Sequence, residues 1–437
     1  MTDCNQQQLL FPRSKGRRVE ARFSGGAITS NGGVLLLRQA DRVLGLTERV
    51  AKALADPRRR ASCQHDVLSI VRQRVYGLAL GYEDLNDHDE LRRDLALQTA
   101  VEKDRVLASA STVCRFEQRA GREEAVRLHE VLIEQFIASY PRPPRRLVLD
   151  FDATDDRVHG QQVGRFYHGY YDHYCFLPLY VFCGDQLLVS YLRPSKIDAA
   201  KHAWAVLALL VKRLRKVWPK VKITFRGDSG FCRWRMLSWC ERHGVDYIVG
   251  IARNKRLNAR ATPLLIQAKE AFEHSGDKQR RFDECFYAAG TWDKRRRVLV
   301  KAEHTARGSN PRYVVTNLTG APQHLYDTVY CARGDMENRI KEQQLDLYAD
   351  RTSCHDWWPN QYRVLLSALA YVLLNTIRRI GLKGTELARA YVGTLRLKLL
   401  KVGAVVLRNT RRVQLLLSSA HPYQDLFALA AARLTPG

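Results

Sequence analysis

The chain has 437 residues, 46% of them hydrophobic, which is enough for a large buried core and two or three domains, and excludes a disordered polymer. Lys and Arg number 71 against 45 Asp and Glu, giving a formal net charge of +26 spread along the chain. That balance favours a polyanionic partner, most simply nucleic acid, held with strong salt dependence.

The polar start MTDCNQQQ shows no secretory signal, so the ten cysteines are expected as reduced cytosolic thiols. Cys63 with His65, and Cys354 with His355, have no second pair at zinc-finger spacing. The apolar run 364–377 falls short of the roughly 20 residues that span a bilayer and reads as a buried helix, so no membrane partner is expected. No GxxxxGK[ST] loop is present, and no nucleotide cofactor is implied.

Residues 1–140 read as a helical domain, with GGVLLLRQADRVLGL, HDVLSIVRQRVYGLAL and ELRRDLALQTAV apolar at three- and four-residue steps. Near its end, Ser111 and Thr112 are candidate N-caps of a short helix bearing Arg115 and Arg119. A helix-turn-helix offers its second helix to DNA in this way. PRPPRR (141–146) is the clearest domain joint.

Beyond the joint, RLVLDFDAT, FLPLYVFC and LLVSYLRP predict an antiparallel meander. A helix over 199–218, strand KITFRGD, helix RWRMLSWCERHG and strand DYIVGIA follow. The pattern is an α/β core compatible with a ribonuclease-H-like mixed sheet, in two parts over 145–252 and 313–383. Residues 253–312 read as a basic, strand-rich insertion, and 384–437 as a basic, mostly helical region.

Alternation along the first of these strands puts Val148, Asp150 and Asp152 on one face. Asp228 ends the fourth strand, beside the first, and is followed by the small residues Ser229 and Gly230. Carboxylates converging at strand ends can hold hard divalent cations. In YCARGDMENRIKEQQLDLYADR, Tyr330, Arg333 and Glu337 share one face of a regular helix.

These motifs resemble the bacterial insertion-sequence transposases of the DDE class. The residues that carry the resemblance are LDFDATDDRVHGQQ, RGDSGF, YVVTNL and the Tyr-x2-Arg-x3-Glu signature at 330, 333 and 337, within about 145–380. The resemblance implies that Asp152, Asp228 and Glu337 are a catalytic, metal-binding triad for two Mg2+ ions, with Mn2+ able to substitute. Asp150 is the alternative first ligand, and Asp152 is preferred because Asp-Ala-Thr at the strand end matches the family's Asp-small-Thr pattern.

The family's signature ends in Lys at the position of Gln344. On a regular helix Gln344 lies about 20° from Glu337 and Lys341 about 40°, so Lys341 can supply that charge. Glu342, about 140° away, is expected to point elsewhere. Tyr330, Arg333 and Lys341 are thus candidate DNA contacts. So are Trp292, as a base-stacking residue, and Arg295 and Arg296 with Arg297, as phosphate ligands. Trp357 and Trp358 are read as core anchors. The function implied is cleavage at an element's terminal inverted repeats and joining of the 3′-OH ends to double-stranded target DNA, by a homodimer in the bacterial cytoplasm. The alternatives are a structure-specific nuclease or resolvase of the same fold, and a silent DNA-binding repressor.

Overall fold

A computed structural model describes residues 8–435 apart from 60 and 62. They form two compact units. The first takes in the chain up to Ala51, Asp56–Phe116 and the residues from Thr376 onward, and the second Lys52–Ala55 with Glu117–Asn375.

The first unit opens with an antiparallel hairpin, β1 (Leu9–Ser14) and β2 (Arg17–Ala21), whose turn uses positive φ at Lys15 and Gly16. Short strand β3 (Ile28–Thr29) follows, then helices α1 (Val34–Leu44), α2 (Leu46–Ala53), α3 (Val67–Leu80), α4 (His88–Leu91), α5 (Leu95–Val101) and α6 (Ala110–Gln118). Helix α3 is buried on nearly every side. Asp66 caps it by accepting from Ser69 N at 2.7 Å, and Gly81 at φ +94° ends it. The buried guanidinium of Arg72 is matched by Glu102 at 2.7 Å and Asp41 at 3.4 Å.

The second unit begins with α7 (Arg122–Ala138), and the proline-rich joint leads into β4 (Arg146–Ala153). A small ribbon, β5 (Asp156–Arg157), β6 (Phe166–His168) and β7 (His173–Phe176), precedes β8 (Leu179–Cys183) and β9 (Gln186–Tyr191). Next come α8 (Ala203–Val217), β10 (Lys222–Gly227), α9 (Trp234–Arg242) and β11 (Asp246–Ile251). The main sheet runs β9-β8-β4-β10-β11, antiparallel on one side of β4 and parallel on the other. This is the ribonuclease-H-like arrangement. The apolar residues Leu147, Leu149 and Phe151 of β4 enter a core with Leu207, Leu210 and Leu214 of α8, so Asp150 and Asp152 face the other side.

The sheet continues past β11 instead of stopping. After α10 (Lys255–Ser275), strands β12 (Gln279–Tyr287), β13 (Arg296–Thr305), β14 (Gly308–Ser309) and β15 (Arg312–Thr316) add on in the order β11-β15-β13-β12, with β14 beside β13. The strand-rich reading of 253–312 therefore misses a helix. Asn254 caps it through Leu257 N, and Leu257, Ala261 and Ala268 bury one face. Short α11 (Pro322–His324) leads to the segment bearing Tyr330, Arg333 and Glu337, which includes α12 (Gly334–Lys341). Helix α13 (Trp357–Thr376) closes the unit. Gln361 exchanges hydrogen bonds with the backbone of Ser190 and Leu192, and Trp357 packs edge-on to Phe176 as the expected core anchor. The helical run Trp357–Gly381 is long and apolar enough to cross a membrane, but 83% of its apolar window is buried in the fold.

In the first unit again, α14 (Val392–Leu395), β16 (Ala404–Arg408), β17 (Val413–Leu417) and α15 (Gln424–Leu434) replace the mostly helical region expected over 384–437. The apolar runs VVLR and VQLLL flank an Asn-Thr-Arg-Arg turn, and β16 pairs with β17 and with β3.

Candidate active site

Asp150 and Asp152 leave β4 on the same face but meet different partners. Asp150 is buried and held by both arms of Arg226 from the neighbouring strand β10, with Nη2 to Oδ2 at 2.7 Å. Arg226 also donates to the carbonyl of Val329, so Asp150 anchors the segment that leads to Tyr330. Asp152, one step further along, is half-buried, and its Oδ2 accepts from Arg333 Nη2 at 3.3 Å.

Arg333 Nη1 donates to Glu337 Oε1 at 2.8 Å, so one guanidinium bridges the first and third carboxylates. Asp228 follows β10 and caps the short turn Ser229–Phe231, accepting from Gly230 N at 2.9 Å. The small residues beside it serve that turn. Across from it, a Cβ on Gly250 of β11 would stand 2.6 Å from the Tyr330 hydroxyl oxygen and 2.9 Å from Ser229 N. Only glycine lets these backbones approach so closely. Burial pushes the Asp152 carboxyl up to about 7. Arg333 opposes this, and the charges of Asp228 and Glu337 add to it.

The donor set fits a hard divalent cation in chemistry, because three carboxylates offer only oxygen and the charges of Asp228 and Glu337 raise the proton affinity of Asp152. Among the described residues, however, no group of three or more His, Cys, Asp or Glu side chains stands at metal-holding geometry. The guanidinium of Arg333 lies between Asp152 and Glu337 and balances part of their charge.

The segment around Glu337 is not one regular helix. It winds as a π turn over Leu325–Tyr330, a 3-10 turn over Cys331–Arg333, the α-helix α12, and a second π turn over Glu342–Asp346. Angular positions from ideal geometry therefore fail before Gly334, where Tyr330 and Arg333 lie, and beyond Lys341. Glu342 is buried and paired with Arg339 at 2.9 Å. Gln344 donates to the carbonyl of Asp155 at 2.9 Å, in the turn just after Asp152. Lys341 is exposed.

The expected DNA contacts fare differently. Arg296 is buried, with Glu241 at 2.9 Å, Asp293 at 2.8 Å and Ser238 at 2.7 Å, so it is an internal ion pair and not a phosphate ligand. Arg297 is tied to Glu284 and to the carbonyls of Leu318 and Gly320, while Arg295 is exposed. Trp292 packs on the core, edge-on to Tyr287 and with Arg296 5.4 Å from its ring. Helix α6 begins at Ala110, ahead of Ser111 and Thr112. It carries exposed Arg115 on the first unit, and half-buried Arg119 follows its end on the second.

Sequence reasoning missed the anchoring pair Asp150–Arg226, the close approach at Gly250 and the tether from Gln344. The signal for the first was present, since an Asp and an Arg at equivalent depths of two neighbouring parallel strands are register partners. No curated protein matches the chain. Among solved structures, it is similar to a piggyBac transposase synaptic complex with hairpin DNA, at 12% identity and a TM-score of 0.43 over 84% of this chain and 80% of that one. Residues 11–436 match the family described as transposase DDE domain group 1. With nearly its whole length inside that match, the chain belongs to this family of DDE transposases.

Proposed function

We propose that this transposase cleaves DNA at the terminal inverted repeats of an insertion sequence and joins the freed 3′-OH ends to target DNA. It would act in the bacterial cytoplasm as a homodimer bridging two ends. The observation that carries the reading is the Arg333 bridge between Asp152 and Glu337, with Asp228 close enough to raise the proton affinity of Asp152. Asp152, Asp228 and Glu337 are the residues that would hold two Mg2+ ions, or Mn2+ in their place.

Bound there, the ions supply Lewis acidity to the attacking and leaving oxygens of a phosphodiester. The chain's own groups hold and aim the DNA. Arg333, once its carboxylates have another counter-charge, offers a planar fork to a phosphate, and exposed Lys341 offers a second charge one turn beyond Glu337. Tyr330, packed against Gly250, keeps Arg333 and Asp228 in register. Exposed Arg115 and Arg295 are the outer phosphate contacts of the proposal.

The test is a supercoiled plasmid target offered with pre-cut element ends in Mg2+. Covalent joining of the 3′ ends is expected, and its loss in Asp228→Asn with end binding retained. Hydrolysis without joining would instead indicate a nuclease or resolvase, and binding without either reaction a repressor.

A further inference from the structure

The ribbon β5-β7-β6 carries more exposed aromatic surface than its own packing explains. Tyr167 and Tyr174 sit opposite each other across β6 and β7, their ring centroids 5.8 Å apart, and are 54% and 47% exposed. Tyr170, in the turn between the strands, is 85% exposed. Large apolar rings left in water on a short ribbon mark a surface that meets something.

Cations accompany the rings. The Arg165 guanidinium lies 4.4 Å from the Tyr174 ring centroid, and Lys196 Nζ lies 5.5 Å from that of Phe166. The exposed acid of the turn, Asp172, is engaged by the Tyr167 hydroxyl. On the other side the ribbon reaches the carboxylate site. Tyr171 leans on His168 and His173, and His173 Nε2 is 2.8 Å from Asp155 Oδ2. Asp155 is the residue whose carbonyl Gln344 holds.

We propose that this ribbon is a stacking platform for unpaired nucleotides of the DNA strand entering the carboxylate site. The proposal rests on the reading of the chain as a protein that acts on DNA. Rings with cations beside them match a base with its phosphate, whereas an apolar protein partner would leave Arg165 and Lys196 without a counter-charge. A paired duplex offers phosphates and base edges but keeps the faces of its bases stacked inside, so the rings select unpaired bases.

The experiment uses the full chain without divalent cation and two fluorescent probes: a blunt duplex, and the same duplex with a mismatched dinucleotide carrying 2-aminopurine. Wild-type protein is expected to bind the mismatched probe about tenfold more tightly and to quench the 2-aminopurine, the order that base–aromatic stacking supplies. Tyr170→Ala with Tyr174→Ala should remove both the preference and the quenching, while affinity for the blunt duplex and the melting temperature stay unchanged. Tyr170→Phe with Tyr174→Phe should restore them. Equal preference in wild type and the alanine variant would overturn the platform alone. Failure of wild type to bind either duplex would overturn the DNA reading with it.

Discussion

The side-chain amide of Gln344 donates to the carbonyl of Asp155 at 2.9 Å, tying the segment that carries Glu337 to the turn that follows Asp152. We expect Gln344→Ala to lower the rate of strand cleavage several-fold with little change in DNA affinity. That is the size of one lost hydrogen bond, about 1 kcal/mol. Single-turnover cleavage beside an anisotropy titration separates the two quantities.

The two aspartates of β4 should fail differently. Asp150→Asn leaves the buried Arg226 guanidinium without its anion, a loss of about 3–5 kcal/mol, and should appear as a large drop in melting temperature. Asp152→Asn should fold normally and lose cleavage. Normal stability of Asp150→Asn together with lost cleavage would reverse the assignment.

Divalent cation binding should depend on pH through Asp152. Its carboxyl titrates near 7 in the fold against 3.8 ordinarily, so a proton competes with the cation below 7. Apparent affinity for Mn2+ should rise about tenfold per pH unit up to about 7 and level off above it. Calorimetry in buffers of different ionisation enthalpy should find about one proton released at pH 6 and almost none at pH 8. The same shift carries a stability sign: because the folded value exceeds the unfolded one, the cation-free protein should lose stability as pH rises from about 4 to 7. Asp152→Asn should flatten that slope.

Gly250→Ala tests the close approach of β11. The new methyl would push on the Tyr330 hydroxyl and on the backbone at Ser229 and Asp228. Overpacking of this kind costs about 1–3 kcal/mol. We expect a folded protein of reduced melting temperature whose cleavage rate falls far more than its DNA affinity.

Glu342→Gln should destabilise the fold, since Glu342 is a buried partner of Arg339, whereas Lys341→Ala should leave stability unchanged and weaken DNA binding. Thermal unfolding and salt-dependent DNA titration read the two effects, with the slope in Lys341→Ala falling by about one phosphate.

The strands and helices around Asp152 and Asp228 were legible because their apolar periods are strong and their ends are marked by Gly, Pro and Asp. Glu337 was legible only through its spacing from Tyr330 and Arg333. What the sequence hid depends on contacts between distant residues. The pairing of Asp150 with Arg226 needs the register of β4 against β10, and the burial of Glu342 needs the π turn that starts there. Helix α10 was obscured because Pro263 lies inside it and only Leu257, Ala261 and Ala268 are fully buried along its inner face. Nothing in the sequence marks the rings of the ribbon as exposed, because their accessibility follows from how β6 and β7 pair.

The pairing of β3 with β16 also sets an order of manufacture. Residues 117–375 form their sheet from one continuous stretch and can close it as soon as they leave the ribosome. The other unit cannot close then, because Ile28 and Thr29 wait for Val405 and Ala404, and α1 for α15. An interrupted translation product would therefore carry a finished carboxylate-bearing sheet and an unfinished companion, so that a partial chain and a complete one differ in kind and not merely in length.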